Sequence, residues 1–214
     1  MNRLCLFFLL VIFQLIAVLP AHSQSDPNGH VAKGIALYED KNYMEALVNL
    51  NKAIELDQGY FKAYYMRGVI KTHFGDNHGA MKDFNTSLDL YPEFAEGYFE
   101  RGNLKYSLQD YYGAISDFSA VIKLNANHVE AYYKRGQAKH QLEAYSDAIN
   151  DCSKILEINP KNVDAYYLRG LLLIEHGQLE AGCLDLSKAG ELGDLKAYEV
   201  IRERCNQKCF TAGS

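Results

Sequence analysis

The chain has 214 residues, 48% apolar and 23% charged, with a formal net charge of −5. That length serves one ordinary domain or a short repeat array, and the apolar share is enough for a sizeable core. A mildly acidic balance without a basic patch excludes nucleic acid as an expected partner, and four prolines among many Ala, Leu, Tyr, Lys and Glu point to an all-helical chain.

The first segment stands apart. Met1–Arg3 carries one positive charge, Leu4–Leu19 is apolar except for Gln14, and Ala21-His22-Ser23 follows Pro20. This is the layout of a secretory signal peptide spanning 1–23, with cleavage after Ser23. The 16-residue apolar run is short against the roughly 20 residues a spanning helix needs, so no membrane span is expected after cleavage; a retained anchor is the alternative. Cys5 stands at the very start of the apolar run, too early for a lipoprotein acceptor that would follow it. A mature chain starting near Gln24 keeps Cys152, Cys183, Cys205 and Cys209, which are free to oxidise outside the cytoplasm.

After a short linker, 24–26, the sequence repeats with a period of 34 residues. Ala63–Gly68 reads AYYMRG, and the same stretch returns as GYFERG at Gly97–Gly102, AYYKRG at Ala131–Gly136 and AYYLRG at Ala165–Gly170. Five units tile the chain: 27–60, 61–94, 95–128, 129–162 and a divergent 163–196. Position 8 of each unit is Gly34, Gly68, Gly102, Gly136 or Gly170, and position 20 is Ala46, Ala80, Ala114, Ala148 or Gly182. Position 24 is Leu50, Phe84, Phe118, Cys152 or Leu186. Apolar and small residues recur every three or four positions in two blocks per unit, which predicts two helices per unit. Gly, Asp and Asn between the blocks mark the turn, as in Gly75-Asp76-Asn77. Pro92 and Pro160 end second helices, because proline bars the residue before it from helical geometry. The small residues at positions 8 and 20 are expected to let the two helices approach closely.

In its period, its small residues at positions 8 and 20, its large apolar position 24 and its late proline, the chain resembles the tetratricopeptide repeat family over 27–196. The resemblance implies a right-handed α-solenoid of five helix-turn-helix units, and the ending of the fifth unit is similar to exported bacterial members. The chain departs from the family at position 7, usually apolar, which here is Lys33, Arg67, Arg101, Arg135 and Arg169. Position 23 is Asn49, Asp83, Asp117, Asp151 and Asp185, so every unit with Arg at one place has Asp at the other. Structural ion pairs Arg67–Asp83, Arg101–Asp117, Arg135–Asp151 and Arg169–Asp185 are therefore expected within units, since the guanidinium fork suits a carboxylate.

In the family, positions 2, 5, 9, 12 and 13 of the first helix line a concave groove that holds peptide segments. Here that stripe carries Tyr65, Phe99, Tyr133 and Tyr167 at position 5, Asn103 and Gln137 at position 9, Tyr106 at position 12, and Glu96 and Glu130 at position 2. Aromatic rings with a polar edge are common hot-spot material. The tyrosines at position 4 (Tyr64, Tyr98, Tyr132, Tyr166) are instead expected to pack against their neighbours. Positions 2 and 13 sum to one Lys, Lys62, against five acids, which favours an apolar, neutral-to-basic partner segment. Only Asn103 matches the family's clamp for a partner's C-terminal carboxylate, so that mode is excluded.

At the C-terminal end, Gly190 and Gly193 are expected to loosen the second helix of unit five. A capping helix over 194–205 should close the array, with 206–214 as a tail. If the cap runs antiparallel to the preceding helix, Cys183 falls near Cys205, which predicts a disulfide there; Cys152 is expected as a free buried thiol. Cys205 and Cys209 lack a second ligand pair, so no metal is expected. No catalytic or cofactor-binding motif is present, and no cofactor is expected. The reading is a non-enzymatic protein-interaction module, periplasmic or secreted. The alternatives are a scaffold using its convex surface and a regulator of a periplasmic enzyme. The oligomeric state stays open.

Overall fold

The computed structural model describes residues 26–205; the expected signal peptide (1–23) and the tail (206–214, with Cys209) lie outside the described residues. Five helix pairs follow one another: α1 (Pro27–Glu39) with α2 (Tyr43–Leu56), α3 (Phe61–His73) with α4 (Asn77–Leu90), α5 (Ala95–Ser107) with α6 (Tyr111–Leu124), α7 (Val129–Gln141) with α8 (Tyr145–Ile158), and α9 (Val163–Glu175) with α10 (Leu179–Glu191). Each first helix packs on its own second helix and, from unit two on, on the second helix of the unit before. First helices also touch across units, α1 with α3, α3 with α5 and α5 with α7, and so form one wall of the solenoid.

Local chemistry sets the helix starts. Asp76 and Asp110 accept from the amides of Gly79 and Gly113 at 2.9 Å, and Asn162 accepts from Ala165 at 2.8 Å, each satisfying an otherwise orphaned donor. The turn between the helices of a unit always passes through a left-handed residue at position 15: Lys41, Gly75, Gln109, Glu143 and Gly177, with φ between 56° and 83°. Only two of the five are glycine.

The core is a chain of linked clusters. At position 8 of units two and three the missing Cβ admits the ring at position 24, whereas in unit five a Cβ on Gly170 would meet both Leu186 at 2.8 Å and the Gly182 carbonyl at 3.0 Å. A Cβ on Gly68 would sit 2.8 Å from the Phe84 ring, and one on Gly102 would sit 2.8 Å from the Phe118 ring. In unit four the facing residue is Cys152, and a Cβ on Gly136 would meet nothing closer than 3.7 Å. Cys152 is free and fully buried, and burial pushes its thiol pKa up to about 12.

Two expectations at the C-terminal end need correcting. The cap is not one α-helix: α11 spans only Leu195–Val200, and Ile201–Cys205 is a wider π-helical turn that carries Cys205 to its disulfide with Cys183, Cα–Cα 6.0 Å. Nor does Gly190 loosen α10, which continues to Glu191. A Cβ there would lie 2.6 Å from the Tyr198 ring, so Gly190 is the flat spot on which the cap rests, while Gly193 (φ 113°) makes the turn. Leu186, Ala189 and Ala197 seal this joint.

Candidate functional site

The structure sorts the repeat's polar residues onto two faces. Positions 5 and 7 lie two residues apart, roughly 200° round a helix, so their side chains point in opposite directions.

On the face away from the inner wall, the arginines of position 7 each make four interactions. Arg101 donates to both carboxylate oxygens of Asp117 at 2.9 and 2.7 Å. Its third nitrogen donates to Asn85 of the preceding unit at 2.7 Å, and its guanidinium stacks over Tyr98 at 5.4 Å. Arg67 (Asp83, Asn51, Tyr64), Arg135 (Asp151, Ser119, Tyr132) and Arg169 (Asp185, Ser153, Tyr166) repeat the arrangement. The hydrogen bonds to Asp83 and Asp185 hold Arg67 and Arg169 above the usual guanidinium pKa. In the three interior units a lysine one turn on also reaches the same carboxylate: Lys71, Lys105 and Lys139 lie 2.8 Å from Asp83, Asp117 and Asp151. Those aspartates are 2–3% exposed and doubly neutralised. Unit one differs: Lys33 pairs with Glu45 at 3.5 Å, and Asn49 donates to the Glu45 carbonyl.

Two partners in this ladder escaped the sequence reading, the acceptor at position 25 and the lysine at position 11. The signal was present as DFN, DFS and DCS after each second helix's aspartate, and as RGVIK, RGNLK and RGQAK against RGLLL in unit five.

The inner wall has a different chemistry. Tyr65, Phe99, Tyr133 and Tyr167 are half-buried, each with one side in the core clusters. Tyr65 meets Phe94 edge-on at 4.8 Å, and Phe99 lies 5.2 Å from the His128 ring. Phe94 and His128 are the last residues of their units. The corresponding residue of unit four is Asn162, which has no ring, and beside Tyr133 the wall opens into a cavity of about 400 Å³. Val129, Glu130, Tyr133 and Lys134 of α7 line it, with Asn162 and Asp164 from the start of α9.

Of the predicted groove residues the cavity thus gathers Glu130 and Tyr133, not Glu96, Asn103, Tyr106, Gln137 or Tyr167. Val129, Lys134 and Asn162 were not foreseen. Burial raises the pKa of the nearby Glu100 carboxyl and Asn103 lowers it by hydrogen bonding, with Glu130 raising and Lys134 lowering it through charge. Burial, followed by Glu100 and Glu96, pushes the Tyr65 hydroxyl up to about 12. Tyr133 is raised by burial first and then by Asp164, and Tyr106 by burial first and then by Tyr111. Among the described residues no ion pair engages Glu96, Glu100, Glu130 or Asp164, whereas Glu175 at the far end is held by His140 and Arg204.

Among the described residues no group of three or more His, Cys, Asp or Glu could hold a metal, and no helix is long and apolar enough to cross a membrane.

Models of the tetratricopeptide repeat match residues 61–94, 129–162 and 152–183, and a TPR repeat model matches 102–143, together more than half of the chain. No curated protein matches the sequence. Among solved structures, YrrB, described as a TPR protein with an unusual peptide-binding site, superposes with a TM-score of 0.76 at 21% identity, covering 85% of this chain and 94% of its own. A MamA protein gives 0.71 at 20% identity, covering 83% and 94%. MamA from Desulfovibrio magneticus gives 0.73 at 18%, covering 79% and 96%. The repeat register, the paired helices and these matches agree: the chain belongs to the tetratricopeptide repeat family.

Proposed function

We propose that the protein is a non-enzymatic interaction module that binds an extended segment of a partner protein along the inner wall of first helices, in the bacterial periplasm. The observation that carries this reading is the contrast between the faces. The ladder's acids are buried and paired, doubly so in the three interior units, while the inner wall leaves carboxylates without ion pairs beside half-buried rings and an open cavity. A preformed wall of this kind binds with little ordering of the receptor. YrrB, a similar fold described with a peptide-binding site, supports the reading, and the acid excess favours a neutral-to-basic segment.

The test is cross-linked affinity purification, comparing wild type with an Asn103→Arg/Gln137→Arg variant. This variant adds bulk and positive charge to the wall and spares the rings, which also belong to the core. Retention of a partner by wild type and its loss by the variant is expected; equal retention overturns the reading.

A second reading, a scaffold held by its convex surface, draws on exposed apolar residues of the second helices: Met44, Val48, Tyr112 (77% exposed) and Leu184 (72%). They fall in units one, three and five, with His78, Lys82, Ser146 and Asn150 between, so they form no continuous patch.

A further inference from the structure

We infer that the cavity between the first helices of units four and five is a seat for one basic side chain, lysine or arginine, of the bound segment; this rests on the groove reading above. The seat exists because the repeat's own filling is interrupted. Phe94 covers Tyr65 and His128 covers Phe99, but Asn162 leaves Tyr133 uncovered. Asn162 is fixed in that role, its side chain accepting from the Ala165 amide to start α9. The vacated space is about 400 Å³, room for a long side chain, with the half-buried Tyr133 as one wall.

Charge selects the occupant. Glu130 and Asp164 stand against a single cation, Lys134, so the lining is short of one positive charge. Lys134 also acts on Glu100 of the preceding first helix, α5, which deepens the deficit. A guanidinium or ammonium would gain both carboxylates and the tyrosine face together. The buried acid of the same unit's ladder already has its cations: Asp151 has Arg135 and Lys139. The row of position 2 residues also changes charge along the wall. It runs Asn28, Lys62, Glu96, Glu130, Asp164, so the basic residue belongs over units three to five and a neutral or acidic residue over unit two.

The test is selection from a phage-displayed library of random linear heptapeptides, followed by affinity measurement on synthesised winners. Three proteins are compared: wild type, Glu130→Gln/Asp164→Asn, and Asn103→Arg/Gln137→Arg. Glu130 and Asp164 are exposed near helix starts, so their amides should leave folding intact, which thermal unfolding checks. The expected result is enrichment of one Lys or Arg position by wild type, with about tenfold weaker binding to the Glu130→Gln/Asp164→Asn variant. Replacing that peptide residue by norleucine should weaken wild type by the same factor and leave the amide variant unchanged. Winners without a basic position, or winners that bind the amide variant equally well, overturn the seat while the groove reading stands. Winners indifferent to Asn103→Arg/Gln137→Arg, or no winners at all, overturn both.

Discussion

Gly102 and Gly136 occupy the same place in successive units and do different things. At Gly102 the Phe118 ring fills the space a Cβ would need, approaching to 2.8, 3.1 and 3.2 Å. At Gly136 the opposite residue is Cys152, and the space is open to 3.7 Å. Gly136→Ala should therefore remove the helix-interior penalty of glycine and stabilise by about 0.5–1 kcal/mol. Gly102→Ala should overpack the joint and destabilise by about 1–3 kcal/mol. Urea unfolding midpoints of the two variants, moving in opposite directions from wild type, are the check. The recurrence of glycine alone did not separate the two; the residue opposite decides.

At the scale of helix pairs, the ladder of Arg, Asp, Lys and a preceding-unit acceptor fixes each unit to the next. Arg101 crosses from its own Asp117 to Asn85 on α4, so one side chain bonds within a unit and between units. The lysine makes the site redundant. In Arg101→Met, Asp117 keeps Lys105 at 2.8 Å, and the loss should be about 1.5–3 kcal/mol, the worth of charged hydrogen bonds. In Arg101→Met/Lys105→Met the aspartate is a buried charge without a cation, and the loss should rise to about 3–5 kcal/mol. Chemical unfolding of the wild type and the two variants measures both; a double variant no less stable than the single one would contradict the role given to Lys105. The Arg–Asp pairing was legible because both residues recur in register and change together in unit one. The acceptor and lysine positions were hidden because Asn, Ser and Lys are ordinary helix-surface residues. The π-helical end of the cap had no sequence signal either: the pattern of Leu195, Tyr198 and Ile201 reads as continuous helix, and the last turn departs from it where Cys205 joins Cys183.

Taken whole, the molecule is a wall of first helices braced from behind. The bracing face uses up its charges, and the inner face does not. The repeat and its two helices per unit followed from the 34-residue period, and the polar stripe of the inner face followed from helical spacing. The cavity did not, because it arises from a missing ring at Asn162, which shows only when the last residues of the units are compared in space. The central claim, that partners bind the inner wall and not the outer face, is tested most directly by photocross-linking in cells. A photoreactive residue replaces Gln137 on the inner wall in one variant and Tyr112 on the outer face in another. The account predicts a discrete partner adduct from position 137 and none from position 112; adducts from position 112 alone would contradict it.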